Sequence, residues 1–227
     1  MIYEPAVWAA AAMGAVAVYR LRWWRDIPES RLFTMAFGAL SGAYVLAVQP
    51  VVEGLNGISI DVTGSAIALL VSVLLATLSF SAFAAVALKI LTGSRHPGRY
   101  VGLAWSVAAA IFVVCWITGD ARQSKTLNTF TADDVPAAVF ALTYVILAIA
   151  TGLTTVVATW RVLRRKGLRP RLSRATGGLF ITAACLVGLA ASLLLNALVL
   201  HLSPGNAQIL EQIWWLPITI GLAVAGL

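Results

Sequence analysis

Charged residues are scarce in this chain, and the shortage excludes a water-soluble fold. Only 11% of the 227 residues are Asp, Glu, Lys or Arg, whereas 60% are hydrophobic, and the mean hydropathy is +0.91. A soluble domain carries about 25% charged residues, which cover its surface. The composition therefore predicts an integral membrane protein.

Residues that bind metals and cofactors are also few. The two histidines, His96 and His201, lie at opposite predicted membrane faces and cannot ligate one haem together. Cys115 and Cys185 are interpreted as two separate, buried, small apolar residues. The last apolar block has no Lys that could form a Schiff base with retinal. No CxxC, P-loop, HExxH or GxSxG signature occurs. We therefore expect no cofactor, no metal site and no enzyme activity.

Long apolar runs, in contrast, are abundant. About 20 apolar residues in a helix cover the hydrocarbon core of a bilayer, and the runs are continuous and rich in Ala and Leu, unlike the short alternating strands of a membrane barrel. The sequence predicts an all-α, polytopic transmembrane bundle forming one domain over 1–227. Its seven helices are expected at 6–19, 32–52, 63–91, 101–118, 135–160, 175–200 and 209–227.

Basic residues fall on alternate connections between these helices. The first, third and fifth connections hold 14 of the 16 Lys and Arg, and only Arg122 and Lys125 lie on the other side, together with seven of the nine acids. The positive-inside rule then places the N-terminus outside and the C-terminus in the cytoplasm. Because no basic flank follows the last block, we expect the natural chain to continue into a cytoplasmic segment.

The fifth connection is the most basic segment of the chain. It is expected to contact anionic lipid headgroups or a cytoplasmic protein partner. The membrane orientation accounts for the net charge of +7, and no DNA-binding motif or aromatic-interleaved basic surface occurs, so no nucleic-acid partner is expected. The contact residues predicted here are Arg161, Arg164, Arg165, Lys166, Arg169, Arg171 and Arg174.

Small residues at four-residue spacing mark two helix-packing stripes. Gly38 and Gly42 form one, and a second follows in the sixth block, at Ala184, Gly188 and Ser192. Close helix approach in lipid depends on such residues, and we favour seams within the chain over dimer contacts. Another polar stripe, at Thr151, Thr155 and Thr159, is interpreted as hydroxyls that bond back to their own helix.

Polar residues also gather near the predicted outer ends of the helices. If they converge, they form an anionic vestibule for a cation or a polar ligand, in which a histidine is able to titrate near neutral pH. The alternative is that the acids are solvated loop charges on the side where acids belong. The vestibule residues are Gln49, Glu53, Asp61, Asp120, Asn196, His201 and Glu211.

Several segments resemble a family of actinobacterial membrane proteins that are described as transporters without a known substrate. The similar segments are VYRLRWWRDIPESRLF, SRHPGRY, WRVLRRKGLRPRLSRATGGLFITAACLVGLA and WWLPITIG. The resemblance implies a seven-helix module with a cytoplasmic tail in a bacterial plasma membrane. It implies no catalytic or binding residues.

These features leave three functions open. The first is a non-enzymatic membrane sensor or scaffold, which the short loops, acidic outer layer and basic inner loop favour. The second is a small-molecule transporter, which the family resemblance favours, although no inverted repeat is evident. The third is a subunit of a larger membrane complex, for which an exposed Gly38/Gly42 seam is the expected mark.

The orientation generates the first testable prediction. In intact cells, a cysteine introduced at position 174 should resist a membrane-impermeant thiol reagent, whereas one at position 53 should react, because positively charged loops stay in the cytoplasm. Labelling after permeabilisation checks that position 174 is reactive once reached. Reaction at position 174 in intact cells would overturn the predicted orientation.

Overall fold

Seven α-helices make up the part of the chain that the structure, a computed structural model, describes. That part comprises residues 5–22, 24, 28–46, 48–63, 67–93, 96–119, 135–164 and 170–195. The helices are α1 (Pro5–Leu21), α2 (Pro28–Val45), α3 (Gln49–Thr63), α4 (Ala68–Thr92), α5 (Pro97–Thr118), α6 (Val135–Leu163) and α7 (Pro170–Leu195). No strand occurs among these residues, as predicted.

Proline and glycine set several of the helix ends. Four helices, α1, α2, α5 and α7, begin at a proline, whose fixed φ suits the first turn and whose missing N–H is not needed there. Gly93 caps the C-terminus of α4: it adopts φ +68° and donates its N–H to the carbonyl oxygen of Lys89 at 2.9 Å. Glycine takes this left-handed conformation without a steric penalty.

The predicted second span, 32–52, is not one continuous helix. Helix α2 stops at Val45, and α3 begins at Gln49 with an axis bent from α2 by more than 40°. Pro50 has no N–H to continue the hydrogen bonding of α2, yet it is tolerated in the first turn of a new helix. The segment expected to be an outer loop is therefore largely helix α3.

Helix α4 is the centre of the bundle and packs against α2, α5 and α6. Helix α1 packs on α2, and α7 packs on α6. Phe112 and Phe140 are fully buried where α5 and α6 meet α4, with ring centroids 4.9 Å apart. Phe37 of α2 is fully buried against α1 and meets Phe83 of α4 edge-on, with centroids 5.7 Å apart.

Each of four helix pairs also shares a side-chain hydrogen bond to a neighbouring backbone. Four donors reach a carbonyl oxygen of the next helix: Ser41 to Ala10 (2.7 Å), Ser72 to Ala43 (3.3 Å), Trp105 to Leu74 (3.3 Å) and Thr151 to Phe80 (3.4 Å). They connect α1 with α2, α2 with α4, α4 with α5, and α4 with α6. Such bonds stabilise helix association in lipid, where water offers no alternative partner.

Three helices are long and apolar enough to cross a bilayer. They are Ala68–Thr92, Gly98–Thr118 and Val135–Leu163, and the bent pair α2–α3 would make a fourth if it counts as one span. Helix α5 also exposes large apolar side chains, including Leu103 and Ile117, as a lipid-facing helix does. The chain is therefore a helical membrane protein.

The seven helices found are not the seven predicted spans. Helices α1, α4, α5, α6 and α7 correspond to predicted blocks within about five residues at each end, whereas α3 was not predicted. The predicted span 209–227 lies outside the described residues. Seven crossings therefore stay a prediction, and three or four spans are what the described residues support.

The closest helix approach generates the second prediction. A Cβ added to Gly152 of α6 would lie 2.5 Å from Cγ2 of Val187 and 3.1 Å from the carbonyl oxygen of Ala183, both on α7. Because Val187 is β-branched and stiff in a helix, Gly152→Ala should lower the free energy of unfolding by about 1–3 kcal/mol. Thermal unfolding in detergent measures it.

Gly38→Ala is the matched control, because a Cβ there meets nothing within 4 Å. It should leave stability unchanged or raise it by up to about 1 kcal/mol through helix propensity. Equal effects of the two substitutions would contradict the assigned α6–α7 contact.

Candidate functional site

The C-terminal ends of α1, α4 and α6 lie at one end of the bundle. Side-chain contacts show that α1 and α2 run antiparallel, since Ser41 meets Ala10 near one end and Arg20 lies over Phe33 near the other. By the same kind of contact α4 is antiparallel to α2 and α5 and parallel to α6, and α7 is antiparallel to α6. Loops one, three and five, as predicted from charge, therefore share an end.

We call this surface the basic end. Its exposed cations in the described residues are Arg22, Arg31, Arg99, Arg161, Arg164 and Arg174, with Arg20 and Lys89 half-buried. The basic end thus combines positive charge with the ends of the two long apolar helices α4 and α6. Such a surface suits the headgroup region of a membrane that contains anionic lipids.

Aromatic rings support arginines at the basic end. The Cζ atom of Arg22 lies 3.6 Å from the ring centroid of Tyr19, and that of Arg164 lies 4.6 Å from Trp160. Arg20 lies 4.9 Å from the ring centroid of Phe33. A ring face attracts a guanidinium cation and holds its plane in place. Counting the charges of the loops in the sequence does not reveal these aromatic partners.

The predicted contact residues of the fifth connection are only partly described. Arg161 and Arg164 are exposed at the end of α6, and Arg174 is exposed in the first turns of α7. Arg171 belongs to α7, but the structure does not describe its side chain. Three further residues lie outside the described part of the chain: Arg165, Lys166 and Arg169. Their contact with lipid or a partner stays a prediction.

The predicted outer vestibule is likewise only partly described. Glu53 is exposed on α3, and Gln49 and Asp61 belong to the same helix, with side chains outside the description. Four further members lie outside the described residues: Asp120, Asn196, His201 and Glu211. Whether these seven residues converge stays a prediction, but three of them share α3 rather than a loop.

Asn56 is a structural residue that the sequence reasoning missed. Its Oδ1 accepts the backbone N–H of Ala68 at 3.1 Å, and both residues are buried. Ala68 is the first residue of α4, where backbone N–H groups have no partner within the helix. Asn56 therefore caps α4 from α3 and joins α3 to the central helix of the bundle. A polar Asn within a helix of mixed polarity gave no signal of this role.

Only some residues of the two predicted packing stripes lie in contacts between helices. Gly42 packs tightly, since a Cβ there would lie 3.0 Å from Cδ1 of Leu75, whereas Gly38 is exposed. In α7, Ala184 is exposed and Gly188 is half-buried, and the side chain of Ser192 lies outside the description. Among the described glycines an added Cβ would make its tightest contact at Gly152, 2.5 Å from Val187 of α7, and at Gly14 it would lie 3.1 Å from Oγ of Ser41 on α2, about as close as a Cβ at Gly42 lies to Leu75.

The three threonines of α6 have three different environments. Thr151 donates to Phe80 of α4, and Thr159 donates back to the carbonyl oxygen of Thr155 at 2.7 Å. Oγ1 of Thr155 is buried and has no hydrogen-bond partner in the protein. Apolar atoms of Thr155 line a small, partly open cavity between α4, α6 and α7, together with those of Phe83, Thr151, Gly152, Thr182 and Ala183. Back-bonding therefore explains Thr159 but not Thr155.

Comparison with known proteins gives no further guide to the site. No protein family, no curated protein and no solved structure matches the chain. Within the described residues, no group of three or more His, Cys, Asp or Glu side chains is placed to hold a metal ion. The resemblance to the actinobacterial family stays a prediction.

The basic end generates the third prediction. Arg164→Gln should reduce retention of phosphatidylglycerol relative to phosphatidylcholine about fivefold, because one cation near an anionic surface contributes about 1 kcal/mol. Native mass spectrometry of the full chain measures this ratio. Glu53→Gln, at the opposite end, is the control and should leave it unchanged. An unaltered ratio in Arg164→Gln would remove this arginine from the lipid-contact surface.

Proposed function

We propose that the chain is a non-enzymatic membrane sensor or scaffold of the bacterial plasma membrane, which couples an outer helix to cytoplasmic partners. The observation that carries the proposal is the hydrogen bond from the N–H of Ala68 to Oδ1 of Asn56. It joins α3, which bears the predicted vestibule residues Gln49, Glu53 and Asp61, to the helix at the centre of the bundle.

The packing around α4 supports a route for such a signal. Helix α4 contacts α2, α5 and α6 directly, and α6 leads to the basic end at Arg161 and Arg164. A displacement of α3 would therefore act on the N-terminus of α4 and reach the basic end through packed helices. A signal is transmitted only if a change in the position of α3 changes the arrangement of the helices at the basic end. That coupling can be measured.

A small-molecule transporter is the second candidate. The sharp bend between α2 and α3 favours it, since broken helices often line substrate sites in secondary transporters. Proteoliposomes that contain the full chain should then swell in a panel of small polar solutes, whereas the sensor proposal expects no swelling above that of empty liposomes.

The fourth prediction tests coupling without knowledge of the natural ligand. Biotin attached to a cysteine at position 58, an exposed site on α3, lets streptavidin load this helix from outside. Spin labels at positions 22 and 174 report distances across the basic end, with Cys115 and Cys185 replaced by Ser. Streptavidin should shift the distance distribution.

Asn56→Ala should abolish the shift, because it removes the bond between α3 and α4. Thr118→Ala is the control, since that exposed hydroxyl donates only to Val114 of its own helix, and it should preserve the shift. An unchanged distribution in the protein with Asn56 intact would refute the sensor proposal.

A further inference from the structure

The cavity between α4, α6 and α7 is lined by apolar atoms only. Small residues border it on two helices, Gly152 on α6 and Ala183 on α7, and Phe83 of α4 closes it from the third. Oγ1 of Thr155 has no accessible surface, so the part of this side chain that faces the space is apolar. The lining therefore favours an apolar occupant over water or an ion.

The cavity is small and partly open. It holds about 250 Å³ with its open part included, whereas a pocket that surrounds a whole small molecule holds about 300–1,000 Å³. A complete ligand is therefore too large for this space, but the end of a longer molecule can lie in it. A flexible hydrocarbon chain has the required shape and polarity.

The depth of the cavity coincides with the ends of lipid chains. Thr155 lies eight residues before Leu163, where α6 ends, and Leu179 lies nine residues after Pro170, where α7 begins. At 1.5 Å per residue, both are about 12–14 Å from the basic end. One leaflet contributes about 15 Å of the hydrocarbon core. The cavity is therefore surrounded by the terminal carbons of the lipids in the leaflet at the basic end.

Ring contacts connect the cavity with a cation of the basic end. Phe83, which lines the cavity, has its ring centroid 6.1 Å from that of Phe33 on α2, and Cζ of Arg20 lies 4.9 Å from the Phe33 centroid. Both rings are half-buried, so each keeps exposed surface that a chain can contact. Arg20 attracts a negatively charged head group, and the two rings lead from there toward the cavity.

We propose that this cavity binds the end of one acyl chain of an anionic phospholipid, whose head group lies near Arg20 at the basic end. The chain end packs against the apolar atoms of Thr155 on α6 and of Leu179 and Thr182 on α7. The site differs from the head-group contact of Arg164, because the lipid enters between helices. This proposal does not depend on the sensor function.

The fifth prediction compares two neighbouring threonines of α6. Thr155→Leu places a larger apolar side chain in the cavity and should displace the chain end. Native mass spectrometry of the full chain measures the ratio of retained phosphatidylglycerol with palmitoyl chains to that with octanoyl chains, which end short of the cavity. The ratio should fall about fifteenfold, because two displaced methylene groups contribute about fourfold each.

Thr154→Leu is the matched control, because Thr154 is not among the residues that line the cavity and its hydroxyl donates back to Ala150 of its own helix. This variant should keep the ratio of the parent. Equal ratios in Thr155→Leu and Thr154→Leu would overturn the proposal.

Arg20→Gln tests the position of the head group. It should lower the retention of dipalmitoyl phosphatidylglycerol relative to dipalmitoyl phosphatidylcholine about fivefold, because it removes one cation near an anionic group. An unchanged ratio would overturn the assignment of the head group to Arg20.

NMR relaxation on the folded parent protein in nanodiscs gives a test that does not depend on variant folding. Phosphatidylglycerol with a nitroxide near the end of its acyl chain should broaden the methyl signals of Thr155 and Leu179 as strongly as those of Leu153, which is exposed on α6. The methyl signal of Ala158, which is fully buried, should be broadened much less. Broadening at Thr155 no stronger than at Ala158 would overturn the lipid site.

Discussion

The structure depends on one constraint: polar groups within the hydrocarbon region must find partners inside the protein, because lipid offers none. The bonds of Ser41, Ser72 and Thr151 to carbonyl oxygens of neighbouring helices follow from it. So does the cap that Asn56 places on α4. Each of these side chains joins two helices through a hydrogen bond to a backbone group.

The same constraint explains which helices could be predicted from the sequence. An apolar run long enough to satisfy its own backbone in lipid becomes a helix. Helices α4, α5 and α6 agree with their predicted blocks for this reason. The prediction of one continuous helix over 32–52 differs from the structure because hydropathy carries no information about backbone hydrogen bonding. Pro50 interrupts the backbone ladder although the composition stays apolar.

Packing residues were harder to predict, since the sequence shows a residue but not what faces it. A GxxxG spacing identified Gly42, which contacts Leu75, together with Gly38, which is exposed. Gly152 lies in no GxxxG motif, yet a Cβ there would lie 2.5 Å from Val187 of α7, the tightest such contact among the described glycines. One glycine opposite a neighbouring backbone is sufficient for close approach. The threonines of α6 differ for the same reason, through neighbours that only the fold supplies.

Charge and packing lead separately to the same grouping of connections. The Lys and Arg counts assign loops one, three and five to one membrane side, without reference to any contact. The antiparallel and parallel contacts of α1, α2, α4, α5, α6 and α7 bring those loops to one end, without reference to charge. A bundle folded with a different helix order would divide the cations between both ends. The agreement therefore makes the basic end a property of the fold, and the remaining question is which membrane face it occupies.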